Sequence, residues 1–190
     1  MEGIVGVALI RRFCNVDSWL PVGLLAASLG LNLYLGWRIN HTPSAGPALP
    51  SAGIVGEHAQ PLVASDLRGG RVVVTWGGDS RPTILYVFAP DCAWCSRNLQ
   101  SFVKLSERVA GYRIMGISLR TAGLTDYVLS NKFTFPVYAS PSEETIRNFR
   151  LGATPETIIV SPEGVIQKAW LGVFTGRTLD EIEKTFGIEL

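Results

Sequence analysis

Cys92 and Cys95 stand with two residues between them, just after an apolar run, Thr83-Ile84-Leu85-Tyr86-Val87-Phe88, and at the opening of a segment with helical periodicity. The run has the length and composition of a buried strand. After it, Cys95, Leu99, Phe102, Val103, Ser106 and Val109 recur on one face of a helix. The pair therefore sits at a strand-to-helix turn. Free N–H groups and the positive dipole end of the helix favour an anion there. A cysteine at that point ionises more readily, and the thiolate is the nucleophilic form. A second cysteine one turn on is within reach of a mixed disulfide formed on the first. The competing assignment is half of a structural zinc site. That needs four ligands, and the chain has no second C-x-x-C and only His41 and His58. The redox assignment is preferred, with Cys92 as nucleophile, Cys95 as resolving thiol and no metal.

A chain of 190 residues with 47% apolar content has room for one domain with a proper core plus an appendage. A net charge of +1 points to no nucleic-acid partner. Three cysteines, two of them in the motif, are too few for a disulfide scaffold, so the core must hold the domain. No Gly-rich phosphate loop stands between a strand and a helix, and no cofactor is called for.

Trp19 to Trp37 is a nearly unbroken apolar run without charge. As a helix it spans roughly 28 Å, close to the hydrocarbon thickness of a bilayer. A Trp at each end and Tyr34 suit the two interfaces. Residues 19–37 are expected to form a transmembrane helix; the alternative is a cleavable signal peptide with Arg11-Arg12 as its basic start. Arg11 and Arg12 precede the run and Arg38 alone follows it closely. That asymmetry puts residues 1–18 in the cytoplasm and the C-terminal domain on the extracytoplasmic face. Cys14 reads as a bystander thiol. Residues 38–53, rich in Pro, Ala and Gly, read as a flexible linker.

From residue 54 on, the pattern alternates. Strands are expected within Gln60–Leu67, at Arg71–Trp76, Thr83–Phe88, Tyr112–Leu119, Phe135–Ala139, Thr157–Val160 and Val165–Leu171, with helices at Ala93–Ala110, Leu124–Ser130, to about Phe149, and at Leu179–Phe186. Ser140, Pro141 and Glu143 have the spacing of a capped helix start, as do Thr178 and Glu181. Ser161-Pro162-Glu163-Gly164 has the composition of a type I turn between the last two strands. The order implies an α/β fold: a mixed central sheet with helices on both faces.

The chain resembles the thioredoxin superfamily over residues 54–190. It is most similar to the membrane-anchored thiol–disulfide oxidoreductases of the TlpA/ResA type, which include the cytochrome c maturation thioredoxins. Three features carry the resemblance: Phe88-Ala89-Pro90-Asp91-Cys92-Ala93-Trp94-Cys95 after a strand, Ala153-Thr154-Pro155-Glu156-Thr157 before a strand, and the turn at 161–164. The resemblance implies a thioredoxin-like fold in which Pro155 is cis and faces the cysteine pair. Thr154 then offers backbone hydrogen bonds to a substrate strand, and Trp94 shapes the docking surface. Trp94 as a plain packing residue is the alternative. The chain departs from the family where Asp91 replaces the usual Trp, where Tyr86 stands in place of a buried acid, and where Asn98 stands in place of a Glu. Asp91 disfavours the Cys92 thiolate by like charge, while Arg97 and the helix dipole favour it. The sequence leaves their balance open, and both residues also read as solvated charges.

The function these residues point to is thiol–disulfide exchange with extracytoplasmic protein substrates and a redox partner protein, through Cys92 and Cys95. A non-catalytic docking module is a second reading, against which the intact C-x-x-C argues. Thiol peroxidase is a third. Peroxiredoxins place Thr or Ser three residues before the reactive cysteine, where this chain has Ala89.

Overall fold

The computed structural model describes residues 19–41 and 51–190. These fall into two compact units, one within residues 1–46 and one within 47–190.

In the first unit, Trp19–His41 form one helix, α1. Pro21 lies in its first turn, where a missing N–H leaves no bond unmade. Asn32 donates its side-chain amide to the Ser28 carbonyl at 2.8 Å, so its polar group is satisfied on the helix itself. Every side chain from Pro21 to Trp37 is exposed. Among the described residues, no helix is both long and apolar enough to cross a membrane. The span expected at 19–37 also takes in Trp19 and Leu20, whose side chains lie outside the described ones. The helix runs on through Arg38 to His41, so the linker expected from residue 38 starts too early by four residues. Expectations for residues 1–18, with Arg11, Arg12 and Cys14, and for residues 42–50 lie outside the described residues.

The second unit opens with a 3-10 turn, Ser51–Ile54, whose Ile54 is buried in the core. Seven strands follow: β1 (Leu62–Ser65), β2 (Arg71–Val74), β3 (Thr83–Phe88), β4 (Arg113–Ser118), β5 (Val137–Ala139), β6 (Glu156–Val160) and β7 (Ile166–Leu171). Between and after them lie α2 (Ala93–Arg108), α3 (Leu124–Ser130), α4 (Glu143–Asn148) and α5 (Gly176–Phe186). The strands form one sheet in the order β2-β1-β5-β4-β3-β6-β7. Strands β3, β4 and β5 are parallel, and β1, β2, β6 and β7 are antiparallel to their neighbours.

All six residues of β3 are buried, because the sheet is covered on both faces. Side chains alternate along a strand. Ile84, Tyr86 and Phe88 join one core with residues of α2, α3 and α5, while Leu85 and Val87 join the other with Ile54 and Phe149. Complete burial of Phe88 and Phe102 is worth about 2–3 kcal/mol each. The expected mixed sheet with helices on both faces is what forms.

Three local expectations are corrected. Asn98 and Leu105 are buried on the inner face of α2, while Leu99, Val103 and Ser106 are only half-buried. The N-cap of α4 is Ser142, whose hydroxyl accepts the Thr145 N–H at 3.1 Å. Ser140 instead adopts φ 48°, and the Ser142 N–H and the Thr145 hydroxyl both bond the Val63 carbonyl of β1, so a tertiary contact sets the cap. Helix α5 begins at Gly176 and runs through Thr178. Glu181 is drawn away from any capping role by the Trp170 indole N–H, which donates to it at 3.1 Å.

Candidate active site

Strand β3 delivers the chain to the top of the sheet, and the turn Ala89–Asp91 feeds it into α2. Cys92 is the N-cap of that helix, with extended backbone at φ −88° and ψ 113°. Its sulfur accepts the Cys95 backbone N–H at 3.1 Å, the role a Ser or Asp oxygen plays at an ordinary helix start. Cys95 lies one turn on and is fully buried. Both thiols are free.

The loop before β6 closes the site from the other side. The Thr154–Pro155 bond is cis, and Pro155 is buried. The Cys92 S–H donates to the Thr154 carbonyl at 3.4 Å. This joins the two segments that the sequence singled out, although 62 residues separate them.

The two thiols are held apart electrostatically. Burial alone raises the Cys92 thiol, but hydrogen bonds from Cys95, from the Thr154 side chain and from the Trp94 backbone outweigh it and bring the thiol below its ordinary value. Burial pushes the Cys95 thiol up to about 11, and its hydrogen bond to Cys92 adds to the rise. One cysteine is built to ionise and the other to hold its proton.

The remaining expected residues separate into two groups. Trp94 is 58% exposed beside Cys92, so it is no packing residue. The Arg97 guanidinium lies over the Trp94 ring, 4.7 Å from its centroid. This contact is a cation–π pair. Asp91 is exposed and lines two depressions. One, of about 270 Å³, is formed by Cys92, Thr154, Ala89, Leu119, Arg120 and Gly152 as well. The other, shallower and about 430 Å³, runs toward α3 past Asp126 and Tyr127.

Sequence reading missed Arg120, which reaches the Cys92 cleft from the loop after β4, because only the folded sheet brings that loop near. It also passed over Glu156, at 2% exposure the only buried charged side chain among the described residues, where it is engaged by neighbours. A charge directly before a β-branched run, Thr157-Ile158-Ile159-Val160, was the available signal.

A family model described as the AhpC/TSA family matches residues 54–169, more than half of the chain. The chain belongs to the AhpC/TSA family. Within this family setting, it is 23% identical over 111 residues to a thioredoxin-like protein of Haemophilus influenzae, covering 57% of this chain and 65% of that one. It is 22% identical over 106 residues to the sporulation thiol-disulfide oxidoreductase A of Bacillus subtilis, covering 52% of this chain and 64% of that one. The matches thus span slightly under two thirds of each relative. Among solved structures, the thioredoxin domain of a thiol-disulfide oxidoreductase from Bacteroides vulgatus superposes with a TM-score of 0.55 at 18% identity, over 70% of this chain and 97% of that one. That likeness establishes the thioredoxin-like fold for this family member.

Proposed function

We propose that this AhpC/TSA family member is a membrane-tethered thiol–disulfide oxidoreductase of the TlpA/ResA type, acting on extracytoplasmic protein substrates. The observation that carries the exchange chemistry is the asymmetry of the pair. Cys92 is half-buried at the helix start with its thiol lowered, and Cys95 is buried with its thiol raised to about 11. The Cys92 thiolate attacks a substrate disulfide, forming one S–S bond and releasing the substrate's other sulfur as a thiolate. Cys95 then loses its proton and attacks Cys92, releasing the second substrate thiol and leaving a Cys92–Cys95 disulfide. A redox partner protein returns the pair to the dithiol. Run backwards, the same steps oxidise a substrate dithiol.

Thr154, Pro155 and Trp94 form the docking surface in this reading, with the Thr154 carbonyl free to accept from a substrate strand once Cys92 has ionised. Ala89 supplies no hydroxyl to activate a peroxide, which favours disulfides over peroxides as substrates. Membrane attachment through residues 19–37 is supported by their uncharged sequence and by the exposure of Val22, Leu24, Leu25, Leu29 and Leu33 on α1. Arg11 and Arg12 support a cytoplasmic N-terminus.

The test is reduction of insulin disulfides by the full chain in detergent micelles, set beside hydrogen peroxide consumption. Disulfide turnover without peroxide turnover is expected; peroxide turnover alone would overturn the reading. A reporter fused after Leu190 that works only in the cytoplasm would overturn the topology.

A further inference from the structure

Strands β3 and β4 end side by side, with Phe88 and Ser118 as partners in their parallel ladder. Just past the end of β4, the Leu119 N–H still donates to the Phe88 carbonyl at 2.9 Å. The loops that follow the two strands are therefore fixed relative to one another. On the β3 side, the Cys92 N–H closes a turn onto the Ala89 carbonyl at 3.2 Å, with Asp91 inside it. On the β4 side, the fully buried Ser118 hydroxyl donates to the Arg120 carbonyl at 2.5 Å and accepts the Arg120 N–H at 3.4 Å. Both loops line the cleft of about 270 Å³ that also holds Cys92 and Thr154. An acid, a base and the reacting sulfur thus share one cavity. The two charges are not spent on each other: among the described residues, neither Asp91 nor Arg120 forms an ion pair.

Unpaired charges in a concave site select a ligand of complementary charge. Opposite charges beside a reactive sulfur match an α-amino acid whose side chain carries that sulfur. Its ammonium and carboxylate groups stand on the carbon next to the CH₂–S unit. In a protein substrate those two groups are consumed by peptide bonds. Size points the same way, because pockets for drug-sized ligands run from about 300 Å³ upward, and this cleft is smaller.

We propose that the Cys92 cleft also takes disulfides of a free amino-acid thiol, cystine being the simplest, with Arg120 holding the carboxylate and Asp91 the ammonium group. This inference rests on the exchange chemistry proposed above. The Cys92 thiolate attacks one cystine sulfur, forming a mixed disulfide and releasing one free cysteine as its thiolate. Cys95 then loses its proton and attacks the Cys92 sulfur, releasing the second. Two electrons pass from the protein dithiol to cystine, and the two protons shed by the protein thiols balance those taken up by the two cysteines. The planar guanidinium of Arg120 suits a carboxylate, and the Asp91 carboxylate accepts from an ammonium group.

The experiment follows oxidation of the reduced full chain near pH 7 in a neutral detergent, read at Cys92 by acid quench, alkylation and peptide mass spectrometry. The disulfides compared are cystine (zwitterionic), 3,3′-dithiodipropionate (dianionic), cystamine (dicationic) and bis(2-hydroxyethyl) disulfide (neutral). Each rate is divided by that of dithiothreitol with the same compound, which removes intrinsic reactivity. It is then divided by the value for the neutral compound, which removes any change in the Cys92 thiol itself. Cystine should lead the other charged compounds and exceed the neutral one about tenfold, the scale of one charge-assisted hydrogen bond. Arg120→Gln should erase the cystine preference and raise cystamine. Asp91→Asn should erase it and raise dithiodipropionate. No preference for cystine in the wild-type chain, or a preference that survives both substitutions, would overturn the proposal. A reduced chain that neither these compounds nor insulin oxidises would overturn the exchange reading itself.

Discussion

The Cys92 sulfur accepts the backbone N–H of Cys95 at 3.1 Å. Folding thus turns one thiol into a helix cap and buries the other directly behind it. Reactivity at neutral pH follows from that difference. Alkylation of the reduced chain with iodoacetamide near pH 7, read by peptide mass spectrometry, should modify Cys92 well before Cys95. Lowering the pH should slow Cys92 labelling only below its depressed pKa.

The same difference fixes how the reduction potential changes with pH. Each proton released with reduction's reversal shifts a two-electron couple by about 30 mV per pH unit. Below the Cys92 pKa both thiols are protonated, so the potential should fall by about 60 mV per unit. Above it, one proton remains and the slope should halve. Near pH 11, where Cys95 ionises, it should flatten. Equilibration against glutathione across this range measures all three segments. Folding stability of the dithiol carries the matching signs. The lowered Cys92 pKa contributes stability that is complete above the ordinary thiol value of 9.0 and is lost as pH falls through the folded pKa. The raised Cys95 pKa contributes stability that is complete below 9.0 and is lost as pH rises through about 11.

Much of this site could be read before folding was considered. Strand β3 and helix α3 fall where the sequence places them, because an unbroken apolar run and a short periodic segment are local signals. The C-x-x-C pair and Thr154-Pro155 were both legible, and the fold brings them into contact. What escaped was decided by partners distant in sequence. Leu99 yields the inner face of α2 to Asn98 because the Phe174 N–H reaches the Asn98 carbonyl oxygen. Ser140 loses the cap of α4 to Ser142 because β1 presents the Val63 carbonyl there. Arg97 turns onto Trp94, a neighbour that spacing alone allowed but did not require.

Gly164 closes the β6–β7 turn at φ 84°, where its N–H donates to the Ser161 carbonyl at 2.9 Å. A Cβ there would sit 3.2 Å from the Trp76 side chain. Gly164→Ala should destabilise the domain by about 1–2 kcal/mol through the left-handed backbone alone. Urea unfolding should show the midpoint falling with an unchanged slope.

Helix α5 is fastened to the sheet by the Trp170 indole N–H and the Glu181 carboxylate, 3.1 Å apart. Glu181→Ala should cost about 1 kcal/mol, and Glu181→Gln, which keeps an acceptor, less. A double-mutant cycle with Trp170→Phe should give a coupling energy clearly different from zero; additive costs would show that the contact contributes nothing.

The division of labour between the cysteines is tested most directly by trapping. The Cys95→Ser chain, incubated with a disulfide-bonded protein substrate, quenched with acid and resolved by non-reducing electrophoresis and mass spectrometry, should accumulate a stable mixed disulfide on Cys92. Cys92→Ser should lose both trapping and turnover, and Cys14→Ser should change neither. Turnover by Cys95→Ser at the wild-type rate, or an adduct on Cys14 in place of Cys92, would contradict the two-cysteine mechanism.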